Sequence, residues 1–243
     1  MALDGTATIA ITLAAIALAT VALDGGPAAG QSAEPRPSFE CKRATTVIEK
    51  AICEDEFLSF RDGALGRLYF MLVKRLSGAA RAGFQRAQLD WIAARDRACG
   101  APAMKDRASC LLQQYDARLA ALNRAMTAAR LGPASRGLQT VAGAYGKKLK
   151  NFHGGLLVVE MPDRGVWIEI NTVNGPTAHL CMVRTNAAWR IGATVAWRST
   201  EWPKCRVSIA FSGTAARIEA TDGCRTFCGA RGAFSGITYE RAR

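Results

Sequence analysis

The sequence predicts an α+β protein of two domains, a small all-α antiparallel helical domain followed by an antiparallel β-barrel or sandwich. Apolar residues recur about every 3.6 positions from Thr46 to Arg130, and in alternation beyond residue 140. A Gly-Pro pair at 132–133, which favours a break in regular structure, lies between the two patterns. We therefore expect the helical domain at 39–128 and the β-domain at 141–243.

The N-terminal segment predicts export. Residues 6–23 form an uncharged, mostly apolar run, followed by Gly, Pro and Ala residues, as in a secretory signal. However, Asp4 stands where a signal normally carries a basic residue. We expect 1–33 to be a signal peptide or an N-terminal anchor, and the mature protein to be periplasmic or secreted. Cleavage and retention in the inner membrane by residues 6–23 both remain open.

The helical domain is predicted to contain a short helix and three longer ones. Thr46 and Glu49 have the spacing of a capping box, which opens a helix ending near Cys53. Ser77-Gly78 and Cys99-Gly100 separate the following helices. Short connections make consecutive helices antiparallel. The apolar stripes comprise Leu58, Leu65, Leu68, Leu72 and Leu76, then Phe84, Trp91 and Ile92, then Leu111, Leu112, Leu119 and Leu122.

Four segments of this domain together form a recognisable pattern of cysteine, aromatic and charged residues. They are Cys41-x-x-Ala44-Thr45-x-x-x-Glu49-x-x-Ile52-Cys53, Leu58-x-x-x-Asp62-x-x-Leu65-x-x-x-Tyr69, Gln88-x-x-Trp91-x-x-x-Arg95-x-x-x-Cys99, and Cys110 with Tyr115-x-x-Arg118-x-x-x-Leu122. This pattern, covering residues 39 to 125, resembles the N-terminal domain of the LprI family. The segment at 228–236 is similar to the end of β-modules that follow such domains in other exported proteins.

The resemblance implies a binding protein. The family is named after a lipoprotein that inhibits lysozyme, so the expected partner is a protein, either lysozyme or another wall hydrolase. The sequence itself offers no catalytic frame, since its two histidines, His153 and His179, lie near no nucleophile motif. We therefore expect no enzymatic activity, no cofactor and no metal site.

The charged positions of the pattern face the apolar stripes, where an unpaired ion would cost several kcal/mol. We interpret them as a buried polar network that holds the helices in register. A direct role in gripping a partner is the alternative. The residues of this predicted network are Glu49, Asp62, Gln88, Arg95, Tyr115 and Arg118.

The β-domain is predicted to be a meander of seven or eight short strands. Strands are indicated at 156–161, 166–170, 179–184, 193–198, 205–211, 216–220 and 233–239. In the second of these, Trp167 and Glu169 occupy positions facing away from the inner apolar face.

All eight cysteines follow residue 40, four in each domain, which predicts two disulfides per domain in an oxidising compartment. Zinc is disfavoured because no CxxC pair exists. The spacing of four cysteines in a domain leaves their connectivity open. We take sequential pairing as the working prediction, namely Cys41–Cys53, Cys99–Cys110, Cys181–Cys205 and Cys224–Cys228.

A formal net charge of +12 favours anionic partners. Binding to an anionic envelope polymer or lipid is therefore the alternative function. Nucleic acid fits the charge but not the predicted export, so we expect none among the partners.

Overall fold

A computed structural model describes residues 36–101, 104–131, 140–176 and 178–242. The signal or anchor segment predicted at 1–33 lies outside this part of the chain. The described residues form a helical domain followed by a β-barrel, which confirms the predicted α+β class. No helix within those residues is long and apolar enough to cross a membrane.

The helical domain follows a single 3-10 turn at Cys41–Arg43. Its helices are α1 (Val47–Glu54), α2 (Glu56–Val73), α3 (Gly78–Cys99) and α4 (Arg107–Leu131). The core lies mainly between α2 and α4, with Leu58 and Leu68 from the first helix and Leu111 and Leu119 from the second. These residues belong to the predicted apolar stripes.

Two side chains fix where the first helices begin. The Thr46 hydroxyl accepts a hydrogen bond from the Glu49 amide, and the Glu49 carboxylate accepts one from the Thr46 amide, as the predicted capping box requires. At the start of α2, Asp55 Oδ1 accepts hydrogen bonds from the amides of Phe57 and Leu58, at 2.8 and 3.0 Å. Both caps satisfy amides that have no partner within their helix.

The β-domain is a closed barrel in which every strand pairs antiparallel with its sequence neighbour and β1 pairs with β8. Its strands are β1 (Gly143–Leu149), β2 (Phe152–Glu160), β3 (Gly165–Asn174), β4 (His179–Ile191), β5 (Thr194–Arg198), β6 (Arg206–Ser212), β7 (Ala215–Ala220) and β8 (Ile237–Arg241). The sequence left a barrel and a sandwich open, and the structure shows a barrel. Closure leaves no unpaired edge.

Two tight hairpins depend on glycine. Gly192 between β4 and β5 has φ 59°, and Gly213 between β6 and β7 has φ 58°. Residues with a Cβ rarely adopt this conformation.

Strand β1 was not predicted, because its Gly-Ala-Tyr-Gly-Lys-Lys run has no apolar alternation.

The helical domain packs on the outer wall of the barrel at β2 and β3. Leu157, Val159 and Met161 point away from the barrel interior and join the core of the helices, and Trp167 packs against the same core. The ring centroids of Trp167 and Phe60 of α2 are 5.4 Å apart. The continuous apolar run at the end of β2 is thus explained by burial on both faces of that strand.

Candidate functional site

Inside the helical domain, one phenol group joins three helices. The Tyr115 hydroxyl of α4 donates to Asp62 Oδ1 of α2 at 2.6 Å. Arg95 Nη1 of α3 donates to the same hydroxyl oxygen at 2.8 Å. The other oxygen of Asp62 accepts hydrogen bonds from the amide and the hydroxyl of Ser38, both at 2.6 Å. The N-terminal segment is thereby attached to the same network.

Aromatic rings enclose this network. Trp91 lies edge-on to Tyr115 at 5.5 Å between centroids, and the Arg95 guanidinium lies over both rings. Burial raises the pKa of Tyr115, and the nearby Asp62 carboxylate raises it further. The phenol therefore stays protonated and keeps donating to Asp62.

Gln88 and Arg118 form a second polar link, between α3 and α4. Gln88 Oε1 accepts from Arg118 Nε at 3.1 Å and from Nη2 at 2.8 Å. Partial burial lowers the pKa of Arg118, and the nearby Tyr69 partly opposes this effect. The link lies beside the Tyr115 network, because Arg118 also lies over the Trp91 ring at 5.7 Å.

Glu49 was wrongly placed in the buried network. Its side chain is partly exposed at the start of α1, where its contacts are with Thr45 and Thr46. The Thr46 amide and then the Thr45 amide lower the pKa of the Glu49 carboxyl to about 2. The capping-box pattern itself already gave this local explanation.

The disulfide predictions hold in the helical domain and fail in the barrel. Cys41–Cys53 and Cys99–Cys110 form as expected. The sequential barrel pairs Cys181–Cys205 and Cys224–Cys228 are wrong, because the structure joins Cys181 to Cys228 and Cys205 to Cys224. The 3-10 turn at Asp222–Phe227 places Cys224 beside β6 and Cys228 beside β4.

A buried ion cluster at the domain boundary was missed from the sequence. Glu169 of β3 is 0% exposed, and its two carboxylate oxygens accept from Arg61 Nη1 at 2.8 Å and from Arg184 Nε at 3.0 Å. Asp116 of α4 pairs with Arg61 Nε at 2.7 Å, and Glu56 of α2 pairs with Arg184 Nη1 at 2.8 Å. Helices and strands are therefore joined by charge as well as by apolar contact.

The carboxylates of this cluster favour the charged form of Arg61. Burial alone would lower the pKa of Arg61, but the carboxylates of Glu169 and Asp116 raise it above its ordinary value. The Arg184 guanidinium also lies over the Phe57 ring, 4.2 Å from its centroid. A Glu on the outer face of a strand is normally exposed to solvent. The alternation of residues in β3 therefore could not show that the helices cover Glu169.

The outer side of α3 is an exposed face of the helical domain. Phe84, Gln88, Trp91 and Arg95 form the inner stripe of this helix. The opposite stripe, Ala82, Arg86, Leu89 and Ala93, is exposed along its whole length, and Leu89 has 67% of its surface in contact with solvent. We call these four residues the α3 ridge. Its side chains can contact a partner without unfolding any part of the domain.

The described residues contain neither a cluster of metal-ligating side chains nor a free thiol. No three His, Cys, Asp or Glu side chains among them come together as metal ligands would. All eight cysteines are in disulfides, so none is a thiol nucleophile. The arrangement can offer shape, charge and hydrogen bonds to a partner.

Comparison with known proteins identifies one part of the chain. Residues 41–135 match the family model described as Lysozyme inhibitor LprI. The match begins at the first cysteine, covers all four helices and ends before the barrel. No curated protein and no solved structure matches the chain significantly.

Proposed function

Because its helical domain belongs to the LprI lysozyme-inhibitor family, we propose that this protein inhibits a lysozyme-type hydrolase of the cell wall. The family match over residues 41–135 is the observation that carries the proposal. The inhibitor acts outside the cytoplasm, since four disulfides persist best in an oxidising compartment.

The rigidity of the helical domain supports an inhibitory role. The hydrogen bonds of Tyr115 tie α2, α3 and α4 together, and Cys99–Cys110 joins the end of α3 to the start of α4. A surface that is already ordered loses little conformational entropy when it binds. Such a domain can block a cleft without any chemistry of its own.

We place the contact with the enzyme on the α3 ridge. A convex helix fits a concave cleft, and a central apolar side chain surrounded by polar groups is a common anchor of protein interfaces. Leu89 is such a side chain, and Arg86 lies one turn before it on the same stripe.

Charge complementarity also favours this face. Glycoside hydrolases of most families carry two carboxyl groups in the cleft. Arg86 is exposed and has no ion-pair partner among the described residues, so its guanidinium is available to such a group. The overall charge of +12 disfavours a strongly basic lysozyme, because like charges repel on approach. The expected target is a neutral or acidic hydrolase.

The test is protection of wall material from lysis. The oxidised protein is titrated against a panel of lysozymes of different charge, and the rate of clearing of suspended peptidoglycan is followed. We expect half-inhibition of at least one neutral or acidic enzyme at or below about 1 µM, equivalent to a binding free energy of about 8 kcal/mol. If the protein at about tenfold molar excess over the enzyme protects the peptidoglycan from none of the enzymes, the proposal is contradicted.

Variants of exposed residues test whether the α3 ridge contacts the enzyme. Leu89→Asp and Arg86→Glu should each weaken inhibition at least about tenfold, the scale of a lost interface anchor. Leu149→Asp is the matched control, because Leu149 is 56% exposed and lies on the barrel. Equal losses in Leu89→Asp and Leu149→Asp would exclude the α3 ridge, while loss of neither would place the contact on another face.

A further inference from the structure

The outer wall of the barrel carries a groove on the strands that follow β3. Its volume is about 500 Å³, and it lies across β4 to β7. One cross-strand row forms its centre, with Trp189 opposite Ala196, Ala196 opposite Ser208, and Ser208 opposite Glu219. The small side chains in the middle of the row leave the space, and the indole of Trp189 lines one side.

Two arginines lie together at the groove. Arg198 of β5 is directly opposite Arg206 of β6, and both side chains are exposed and line the groove. Like charges directly opposite each other destabilise an antiparallel pair. Within the described residues, neither guanidinium has an acidic partner within ion-pair distance.

The acid that lines the groove and the acid that follows its last strand have basic neighbours of their own. Glu219 lines the groove, but its carboxylate pairs with Arg217 at 2.8 Å and accepts from the Ser235 hydroxyl. Asp222 follows the last strand of the groove and lies 3.9 Å from the Arg225 guanidinium. The charges of Arg198 and Arg206 are therefore left for an anion from outside.

We propose that this groove binds an anionic saccharide. The carboxylate of one sugar unit is held by Arg198 and Arg206, because guanidinium groups match carboxylates with paired hydrogen bonds. The indole of Trp189 and the methyl group of Ala196 contact the C–H surface of a sugar ring. This activity lies on the barrel and is separate from inhibition by the α3 ridge.

A saccharide fits the groove better than a nucleic-acid strand does. The volume of about 500 Å³ is that of a small-ligand pocket, for which typical values are about 300–1,000 Å³. Single-stranded nucleic acid is bound by a basic track with several aromatic platforms. This groove has one partly exposed Trp, Trp189, beside the buried Trp197, and one arginine pair, which suits one or two charged sugar units.

Calorimetric titration of the full oxidised chain tests the proposal. The probe is a tetrasaccharide of alternating glucuronate and N-acetylglucosamine; its neutral counterpart is chitotetraose, and inorganic phosphate is the test of charge alone. We expect the anionic tetrasaccharide to bind with a dissociation constant below about 1 mM. Chitotetraose should bind at least about tenfold more weakly, because it has no carboxylate to form a bidentate ion pair with the guanidinium groups. Phosphate should bind more weakly still.

The variants Arg198→Gln and Arg206→Gln should each weaken binding of the anionic tetrasaccharide about tenfold and leave that of chitotetraose unchanged. Trp189→Ala should weaken binding of both. Lys148→Gln, an exposed β1 residue, is the control with the same change in charge and should have no effect. The arginine variants should fold at least as stably as the wild type, since each removes a like-charge contact.

Three results would overturn the proposal. They are absence of tetrasaccharide binding at about 1 mM, phosphate binding as tight as tetrasaccharide binding, and a loss in Lys148→Gln as large as in Arg206→Gln. Because inhibition is assigned to another domain, Arg206→Gln should inhibit the hydrolase as the wild type does. The two proposals can therefore fail separately.

Discussion

At the scale of single residues, the hydroxyl group of Tyr115 links three helices of the helical domain. It donates to the Asp62 carboxylate and accepts from the Arg95 guanidinium, so it lies between opposite charges in a buried site. Our interpretation that this network sets the register of the helices rests on those two contacts. It leads to the first prediction.

Tyr115→Phe should lower the free energy of unfolding by about 1–3 kcal/mol, because Asp62 and Arg95 each lose a buried hydrogen-bond partner. Tyr69→Phe is the matched control, since no hydrogen bond of its hydroxyl occurs in the described residues. It should change stability by less than about 0.5 kcal/mol. Urea denaturation measures both. Equal effects of the two substitutions would show that the network does not stabilise the domain.

Glu49 shows that a charged residue of the same pattern can have only a local role. Its carboxyl has a pKa of about 2 in the folded chain and an ordinary value of 4.5. A carboxyl group with a lowered pKa stabilises the fold above its unfolded pKa, and this stabilisation is lost as the pH falls through the folded pKa.

The difference in unfolding free energy between wild type and Glu49→Gln should therefore be constant above about pH 5.5 and shrink toward about pH 2. Denaturation at a series of pH values measures it. An unchanged difference at low pH would mean that the ionised form of Glu49 contributes nothing to the cap of α1.

At the scale of elements, the 3-10 turn after β7 decides how the barrel is cross-linked. It separates Cys224 from Cys228, so each bonds a different strand region, and the two bridges close loops of 19 and 47 residues. Restricting the unfolded chain is the main effect of a disulfide, and it grows with loop length.

Tryptic digestion without reduction tests this connectivity directly. The structure predicts that peptide 165–184 is linked to peptide 226–231, and that dipeptide 205–206 is linked to peptide 218–225. Sequential pairing would instead link 165–184 to 205–206. Mass spectrometry distinguishes the two outcomes because Arg225 lies between the last two cysteines.

At the scale of the whole molecule, the two domains share a core and a buried ion cluster. Leu157, Val159 and Met161 of the barrel lie among helical side chains, and Glu169 pairs with Arg61 and Arg184 beside them. Removal of one partner from a buried pair leaves an uncompensated charge. The cluster should therefore couple the unfolding of the two domains.

Glu169→Gln should destabilise the protein by about 3–5 kcal/mol, because two buried guanidinium groups lose their shared carboxylate. Glu219→Gln is the control, since the Arg217–Glu219 pair lies on the same barrel with both side chains about half exposed. It should cost less than about 1 kcal/mol. Calorimetry should show one unfolding transition in the wild type and a split or strongly lowered transition only in Glu169→Gln. Equal behaviour of the two variants would contradict coupling through Glu169.

The sequence by itself determined the class of both domains, the limits of most helices, the capping box and the similarity of residues 41–135 to the LprI family model. These features depend on local spacing, such as the apolar period, Ser77-Gly78 or Thr46 three positions before Glu49, and near neighbours in the chain enforce them. Sequential pairing of the cysteines is correct in the helical domain, where the partners are only 12 and 11 residues apart.

Only the tertiary structure decided the surroundings of Glu169, Trp189 and Arg198 and the pairing of the barrel cysteines. A strand shows which of its side chains share a face, but what covers that face depends on elements distant in the chain. The helices cover Glu169, whereas nothing in the described part covers Arg198 and Arg206. Local pattern cannot distinguish these cases, because burial and charge compensation are fixed only when the whole chain has folded.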